Sequence, residues 1–140
     1  MGKQRGTLEA GDYQLLAQFR YLLARFLAFS EDAARKSGLA PRHHQALLAI
    51  KGYPDGAEVT VGDLAERLCI RHHSAVGLVD RLERRGYLKR IPDPHDKRRM
   101  RVTLAKKGET ALAALSAAHR DELRRLTPLL KPLLAKLENE

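Results

Sequence analysis

The chain has little that could support covalent or metal chemistry. Of its 140 residues one is a cysteine, Cys69, which excludes an internal disulfide and fits a reducing compartment. Tryptophan is absent and aromatics make up 5% of the chain, so the core must rest on Leu, Ala and Val. Long apolar runs are missing too. Arg20 and Arg25 interrupt the most apolar early stretch, which excludes a signal peptide and a spanning helix, and Gly6 stands where a myristoylation signal needs Ser or Thr. The six histidines offer no H-x-x-x-H pair, and neither C-x-x-C nor H-E-x-x-H occurs. Adjacent pairs such as His43-His44 and His72-His73 point in divergent directions on a helix. These absences predict a cytoplasmic protein without membrane association, with no cofactor, no metal and no catalytic residues. Its length predicts a single domain, residues 1–140.

What the sequence does have is positive charge, and it is concentrated. The formal charge is +9, and the stretch from Arg67 to Lys107 holds 13 Lys/Arg against 4 Asp/Glu. The remainder carries 13 of each sign, so the whole net charge comes from that one stretch. A face of this kind suits a polyanion.

Local patterning gives the stretch an architecture. Thr60 with Asp63 forms a helix start, and Leu64, Ala65 and Leu68 give that helix an apolar face. After a corner at Cys69-Ile70-Arg71, the residues Ala75, Leu78, Val79 and Leu82 fall on one buried stripe. Gly86 supplies the left-handed residue that ends the second helix. Two helices with so short a joint match a helix-turn-helix. The period then changes. Tyr87, Leu88 and Ile91 predict a strand, and Met100, Val102 and Leu104 alternate with polar residues in a second. Between them lies the cation-rich turn Asp93 to Arg99, so the hairpin reads as a wing.

The flanks read as helices. Residues 1–10 are polar and predict a loose arm. A helix follows from Asp12 to about Lys36, its wide apolar face carrying Tyr13, Leu16, Phe19, Leu23, Phe26 and Leu27. Pro41 opens the next helix, Tyr53 to Gly56 forms a turn, and Ala57 to Val59 suggests a short strand beside the wing. After the wing, Lys106 to about Leu126 predicts an alanine-rich helix. Thr127-Pro128 then reads as the N-cap and first position of a separate helix bearing Leu129, Leu130, Leu133, Leu134 and Leu137. So leucine-rich a terminal helix needs a cover, either the first helix of the same chain or a second copy.

In LAERL, LVDRLERRG, DPHDKRR and VTLAKKG, taken in order from Thr60 to Gly108, the chain resembles the multiple antibiotic resistance regulator (MarR) family, winged-helix transcription factors of bacteria and archaea. The resemblance implies a mainly α fold with a small β-hairpin wing. A winged helix-turn-helix would span 41–108, flanked by dimerisation helices over 12–37 and 109–140. It implies a homodimer held by Tyr13, Leu16, Leu129, Leu130, Leu133, Leu134 and Leu137. That dimer would act as a sequence-specific regulator, a repressor on a near-palindromic operator in double-stranded DNA, released by a small-molecule effector in a cleft lined by His43 and His44.

DNA would be met by Arg71, His72, His73, Ser74, Val76, Gly77, Arg81 and Arg84 on the second helix and by Lys97, Arg98 and Arg99 on the wing. His72, His73 and Ser74 suit base edges or phosphates, whereas Arg81 and Arg84 suit phosphates or local ion pairs. Val76 is either a thymine-methyl contact or a marginal core position. In the family, the aspartate of D-x-R orients the arginine, which here makes Asp96 the orienter of Arg98. Four positions depart from the pattern. Gly77 replaces a larger side chain, Arg71 and Ala105 stand where Ser or Thr caps a helix, and Cys69 stands where glycine is common. Cys69, flanked by Arg67 and Arg71, invites a redox reading, but a small buried corner residue is the simpler expectation. The rival functions are a nonspecific architectural DNA-binding protein and a metal- or redox-sensing relative, the latter with His43, His44 and His119 as ligands.

Overall fold

The computed structural model describes residues 7–56, 58–96 and 98–139. Five α-helices and a small antiparallel sheet follow the order α1 (Ala10–Lys36), α2 (Pro41–Lys51), β1 (Val59–Thr60), α3 (Val61–Leu68), α4 (His72–Arg84), β2 (Leu88–Pro92), β3 (Met100–Leu104) and α5 (Lys106–Glu138). A 3-10 turn, Pro54–Gly56, joins α2 to β1. The first helix starts earlier than the predicted loose arm allows. Glu9 caps it reciprocally with Asp12, the Glu9 N–H donating to Asp12 Oδ2 at 2.9 Å, so the chain is helical from Ala10. The rest of that arm, residues 1–6, lies outside the described residues.

The sheet order is β1-β3-β2. Leu88 faces Leu104 and Arg90 faces Val102 across the hairpin, while Val59 pairs with Val102 from the other side. The predicted strand beside the wing is therefore present as Val59–Thr60; Ala57 lies outside the described residues. Around this sheet sits the main core. Leu64, Ala75, Leu78, Val79 and Leu82 from the two short helices pack with Val59, Leu88 and Val102 and with Ala46 and Ile50 of α2. All four residues of the apolar stripe predicted for α4 are buried. A second cluster, Leu39, Leu47, Leu112 and Leu115, joins α2 to α5, and a third, Leu22, Leu126 and Leu133, joins α1 to α5.

The last helix corrects the sequence reading. Thr127-Pro128 does not begin a new helix; α5 runs unbroken from Lys106 to Glu138 with Pro128 and Pro132 inside it. The Thr127 hydroxyl, instead of capping, donates back to the Leu123 carbonyl at 3.0 Å. Packing explains the outcome. Gly108, Leu112, Leu115, His119, Glu122, Leu126 and Leu133 are buried in one stripe that passes straight through the proline segment. Burying that stripe against α1 and α2 outweighs the local cost of two interior prolines.

Candidate nucleic-acid interface

The helix-turn-helix is set by backbone chemistry at three points. Thr60 Oγ1 accepts the Asp63 N–H at 3.1 Å, and Asp63 Oδ2 accepts the Thr60 N–H at 3.0 Å, a closed capping box. The Thr60 amide bond holds the Asp63 carboxyl below its usual range. At the corner, Cys69 takes the left-handed conformation with φ 54°, and the Ile70 N–H reaches back to the Ala65 carbonyl at 3.0 Å. A left-handed cap explains why glycine suits this position. It also turns the Cys69 side chain outward, so the thiol is exposed and not the buried corner residue the sequence suggested. At the far end of α4, Gly86 has φ 79°, as a helix terminator should.

The recognition helix α4 opens at His72 without any side-chain cap from Arg71. Arg71, His72, His73 and Ser74 are all exposed around that first turn, and Arg81 and Arg84 are exposed about two and three turns on. Val76 and Gly77 are half-buried, and Val76 packs against the main core. The core alternative for Val76 is therefore met, while one edge of the side chain also lines a cleft of about 390 Å³. That cleft separates α4 from the wing, with His72 and Val76 on one wall and Arg98 and Arg99 on the other.

The wing is held by carboxylates. Asp93 is buried; its Oδ1 accepts the His95 N–H at 2.8 Å and the Asp96 N–H at 3.3 Å, and its Oδ2 lies 3.2 Å from Arg101 Nη2. Arg101 also pairs with Glu58. Asp96 meets Arg98 at the backbone and not at the guanidinium: its Oδ1 accepts the Arg98 N–H at 2.9 Å. Arg98 and Arg99 are exposed at the tip, and Lys97 lies outside the described residues.

The wing is also bolted to the recognition helix. Arg90 on β2 pairs with Asp80 and, at 3.0 Å, with Glu83, while its backbone N–H donates to Glu83 at 3.0 Å. The Asp80 hydrogen bond, opposed by burial and aided by Glu83, raises the Arg90 pKa further. Neither Arg90 nor Asp93 stood out as a positioning residue in the sequence. Asp93 left a signal in its Asp-Pro turn, but the partners of Arg90 lie on another element, Glu83 and Asp80 of α4, at no spacing that marks a pair, and left none.

The histidine cluster lies apart from this face. His43, His44 and His119 are buried, and the His44 and His119 rings lie 4.7 Å apart, centroid to centroid. His119 Nδ1 faces the Leu115 carbonyl at 2.8 Å, so it must carry the proton; Nε2 meets the Ser30 hydroxyl at 2.8 Å. Both His119 nitrogens are thus engaged, and no group of three or more His, Cys, Asp or Glu among the described residues is placed to hold a metal ion. The Nδ1 atoms of His43 and His44 have no hydrogen-bond partner among the described residues. Burial lowers the pKa of both, helped at His43 by Arg85 and Arg81 and at His44 by His119.

The residues expected to form a dimer interface divide. Tyr13 and Leu16 are each 60% exposed, and Leu129, Leu134 and Leu137 are 45%, 48% and 54% exposed. Leu130 is half-buried, and Leu133 is buried against Leu22 and Leu126 of its own chain, so Leu133 serves the protomer's own core. No helix among the described residues is long and apolar enough to cross a membrane.

Comparison with known proteins agrees with this geometry. The model of the MarR family matches residues 37–99, from the approach to α2 through the wing tip. An uncharacterized HTH-type transcriptional regulator of Bacillus subtilis, YcgE, is 34% identical over 96 residues, 69% of this chain and 58% of that protein. The chain spans about half the length of the curated relatives it matches. A MarR family protein from Bacillus stearothermophilus has the same fold with a TM-score of 0.77 at 22% identity, covering 96% of this chain and 97% of the other. A mutant of MepR from S. aureus, solved bound to an oligodeoxyribonucleotide, superposes with a TM-score of 0.63 at 20% identity over 91% of this chain and 96% of its own. Residues 37–99 thus match the MarR family of transcriptional regulators, and the chain shares the fold of a solved MarR family protein along almost its whole length.

Proposed function

We propose that the chain is a sequence-specific, homodimeric repressor that binds a near-palindromic operator and leaves it when a small ligand binds. The observation that carries this reading is the segregation of two surfaces. Exposed cations line the start of α4 and the wing tip, and exposed leucines with Tyr13 line the outer faces of α1 and α5. Each surface supports one half of the function.

On the cationic side, the first turn of α4 enters the major groove. Arg71, His72, His73 and Ser74 meet base edges and phosphates there, and the uncapped amides of that turn suit a phosphate oxygen. Val76 and Gly77 face the groove wall, and Arg81 and Arg84 extend the cationic surface. Arg98, Arg99 and Lys97 reach the flanking minor groove and its phosphates, with Asp96 shaping the tip. On the apolar side, Tyr13, Leu16, Leu129, Leu134 and Leu137 meet their counterparts in a second copy, with Leu130 at the edge and Leu133 supporting from beneath. Two-fold symmetry then sets the recognition helices about 34–36 Å apart, one DNA turn. The effector binds between the helical arm and the winged helix, where His43 and His44 are buried with unpartnered ring nitrogens. It acts by favouring a helix spacing that no longer fits the operator. DNA binding and release are non-covalent, so no enzymatic step is involved, and the protein works in the cytoplasm.

Fluorescence anisotropy against DNA upstream of its own gene, beside a scrambled duplex at several salt concentrations, tests the core of this proposal. A preference of about a thousandfold with a steep salt slope supports a site-specific regulator. Equal binding to both duplexes favours a nonspecific architectural role. No binding at low salt removes the DNA-binding reading of the cationic face.

A further inference from the structure

The outward face of α4 is centred on Gly77, on the far side of the helix from the buried Ala75, Leu78, Val79 and Leu82. Glycine there weakens the helix, and its backbone does not require it: Gly77 lies in regular helix and is not among the glycines with positive φ. A Cβ at 77 would have one neighbour within 4 Å, Nη1 of Arg81 at 3.5 Å. The Arg81 guanidinium therefore lies back along the helix by one turn, over the space that a side chain at 77 would fill.

Local charges hold it there. The helical neighbours of Arg81 at three and four residues are Gly77, Leu78, Arg84 and Arg85, so no carboxylate is within reach along its own helix. Arg84 and Arg85 repel it from the C-terminal side. The two acids of α4, Asp80 and Glu83, are both engaged by Arg90 of the wing. Arg81 is thus left without an acidic partner among the described residues, with its head at the centre of the outward face.

We propose that Arg81 reads a guanine in each half-site through the slot that Gly77 leaves open. This rests on the DNA-binding reading above and gives Arg81 a role different from the phosphate contact its sequence position suggests. A guanidinium presents a planar fork of donors that fits the N7 and O6 acceptors of guanine in the major groove. A side chain at 77 would compete for the same space. With glycine there, Arg81 reaches the groove floor from a position already biased toward it. Arg84 has no such slot beneath it and remains a phosphate contact.

The experiment is a binding selection from a duplex library randomised over both half-sites. It is run on the full chain and on Arg81→Ala, Arg84→Ala, Gly77→Ala and Gly77→Leu, each first checked for cooperative thermal unfolding. The unsubstituted protein should enrich a G·C pair at one fixed step of each half-site. Arg81→Ala should lose that preference, by roughly tenfold to a hundredfold, and keep its preferences elsewhere. Gly77→Ala, whose methyl meets the guanidinium at an ordinary 3.5 Å, should select as the parent does. Gly77→Leu should displace the guanidinium and relax the same step. Arg84→Ala should weaken all sequences alike and reduce the salt slope by about one. If Arg81→Ala instead weakens every sequence evenly, Arg81 is a phosphate contact and this assignment fails while the regulator stands. If the unsubstituted protein enriches no sequence, the site-specific reading and this assignment fail together.

Discussion

Gly108 sits where α5 presses on the carbonyl of Tyr87, and a Cβ there would collide with that backbone oxygen. A carbonyl in the turn before β2 cannot yield as a side-chain tip can. Gly108→Ala should therefore cost about 1–3 kcal/mol, read as a lower urea midpoint with an unchanged m-value. The reason for this glycine is invisible along the chain, because its neighbour is the main chain of another segment. Gly86 was legible because it follows a helical stripe where a left-handed residue is expected. Cys69 was half legible. Its place as a corner residue was clear, but its exposure depended on a conformation that the residue type does not announce. The buried histidines have a consequence in pH. His43 and His44 have lowered pKa values when folded, so the unfolded chain binds protons that the folded chain refuses. Stability should be fully present above the ordinary value of 6.5 and should fall as pH drops below it. Urea midpoints at pH 7.5 and 5.5 check this, and His44→Phe should flatten the slope; an unchanged slope in that variant would remove His44 as a source.

Among the helices, two threonines that look alike in sequence should behave oppositely. Thr60 closes a capping box on α3, so Thr60→Ala should lower stability by about 1 kcal/mol. Thr127 bonds back to Leu123 inside α5, so Thr127→Ala should be neutral or stabilising in the same denaturation assay. A loss of about 1 kcal/mol at Thr127 would mean that the helix divides there after all. Local rules failed at Thr127-Pro128 because they weigh a cap and a proline without the stripe that continues beyond them. They succeeded for α3, α4 and the hairpin because cap, apolar period and turn residues all point to one answer. The bolt between wing and recognition helix belongs to a third kind. Arg90, Asp80 and Glu83 carry no pattern until the fold brings them together.

For the whole molecule, charge and apolar surface occupy different parts of the chain, and both were visible as composition before any element was placed. The proposed dimer can be broken selectively. Leu16→Lys combined with Leu134→Lys alters exposed positions and should leave the fold intact while converting the species in sedimentation velocity to a monomer. Affinity for a full operator should then fall to that of a half-site. A dimer that persists would place the contact on another surface. One residue, Ala105, separates β3 from α5, and the base of that helix is pinned: Lys107 Nζ donates to the Arg85 carbonyl at 2.7 Å and stands 4.3 Å over the Tyr87 ring. The helix has 33 residues. At about 1.5 Å per residue it is a rod of roughly 50 Å, and a tilt of about 5° at its base sweeps the far end through roughly 4 Å. Wing, recognition helix and rod are geared together at one joint. In the proposed dimer, a small push at the leucine end would reach the cationic end as a change of angle, with no need to touch the nucleic acid.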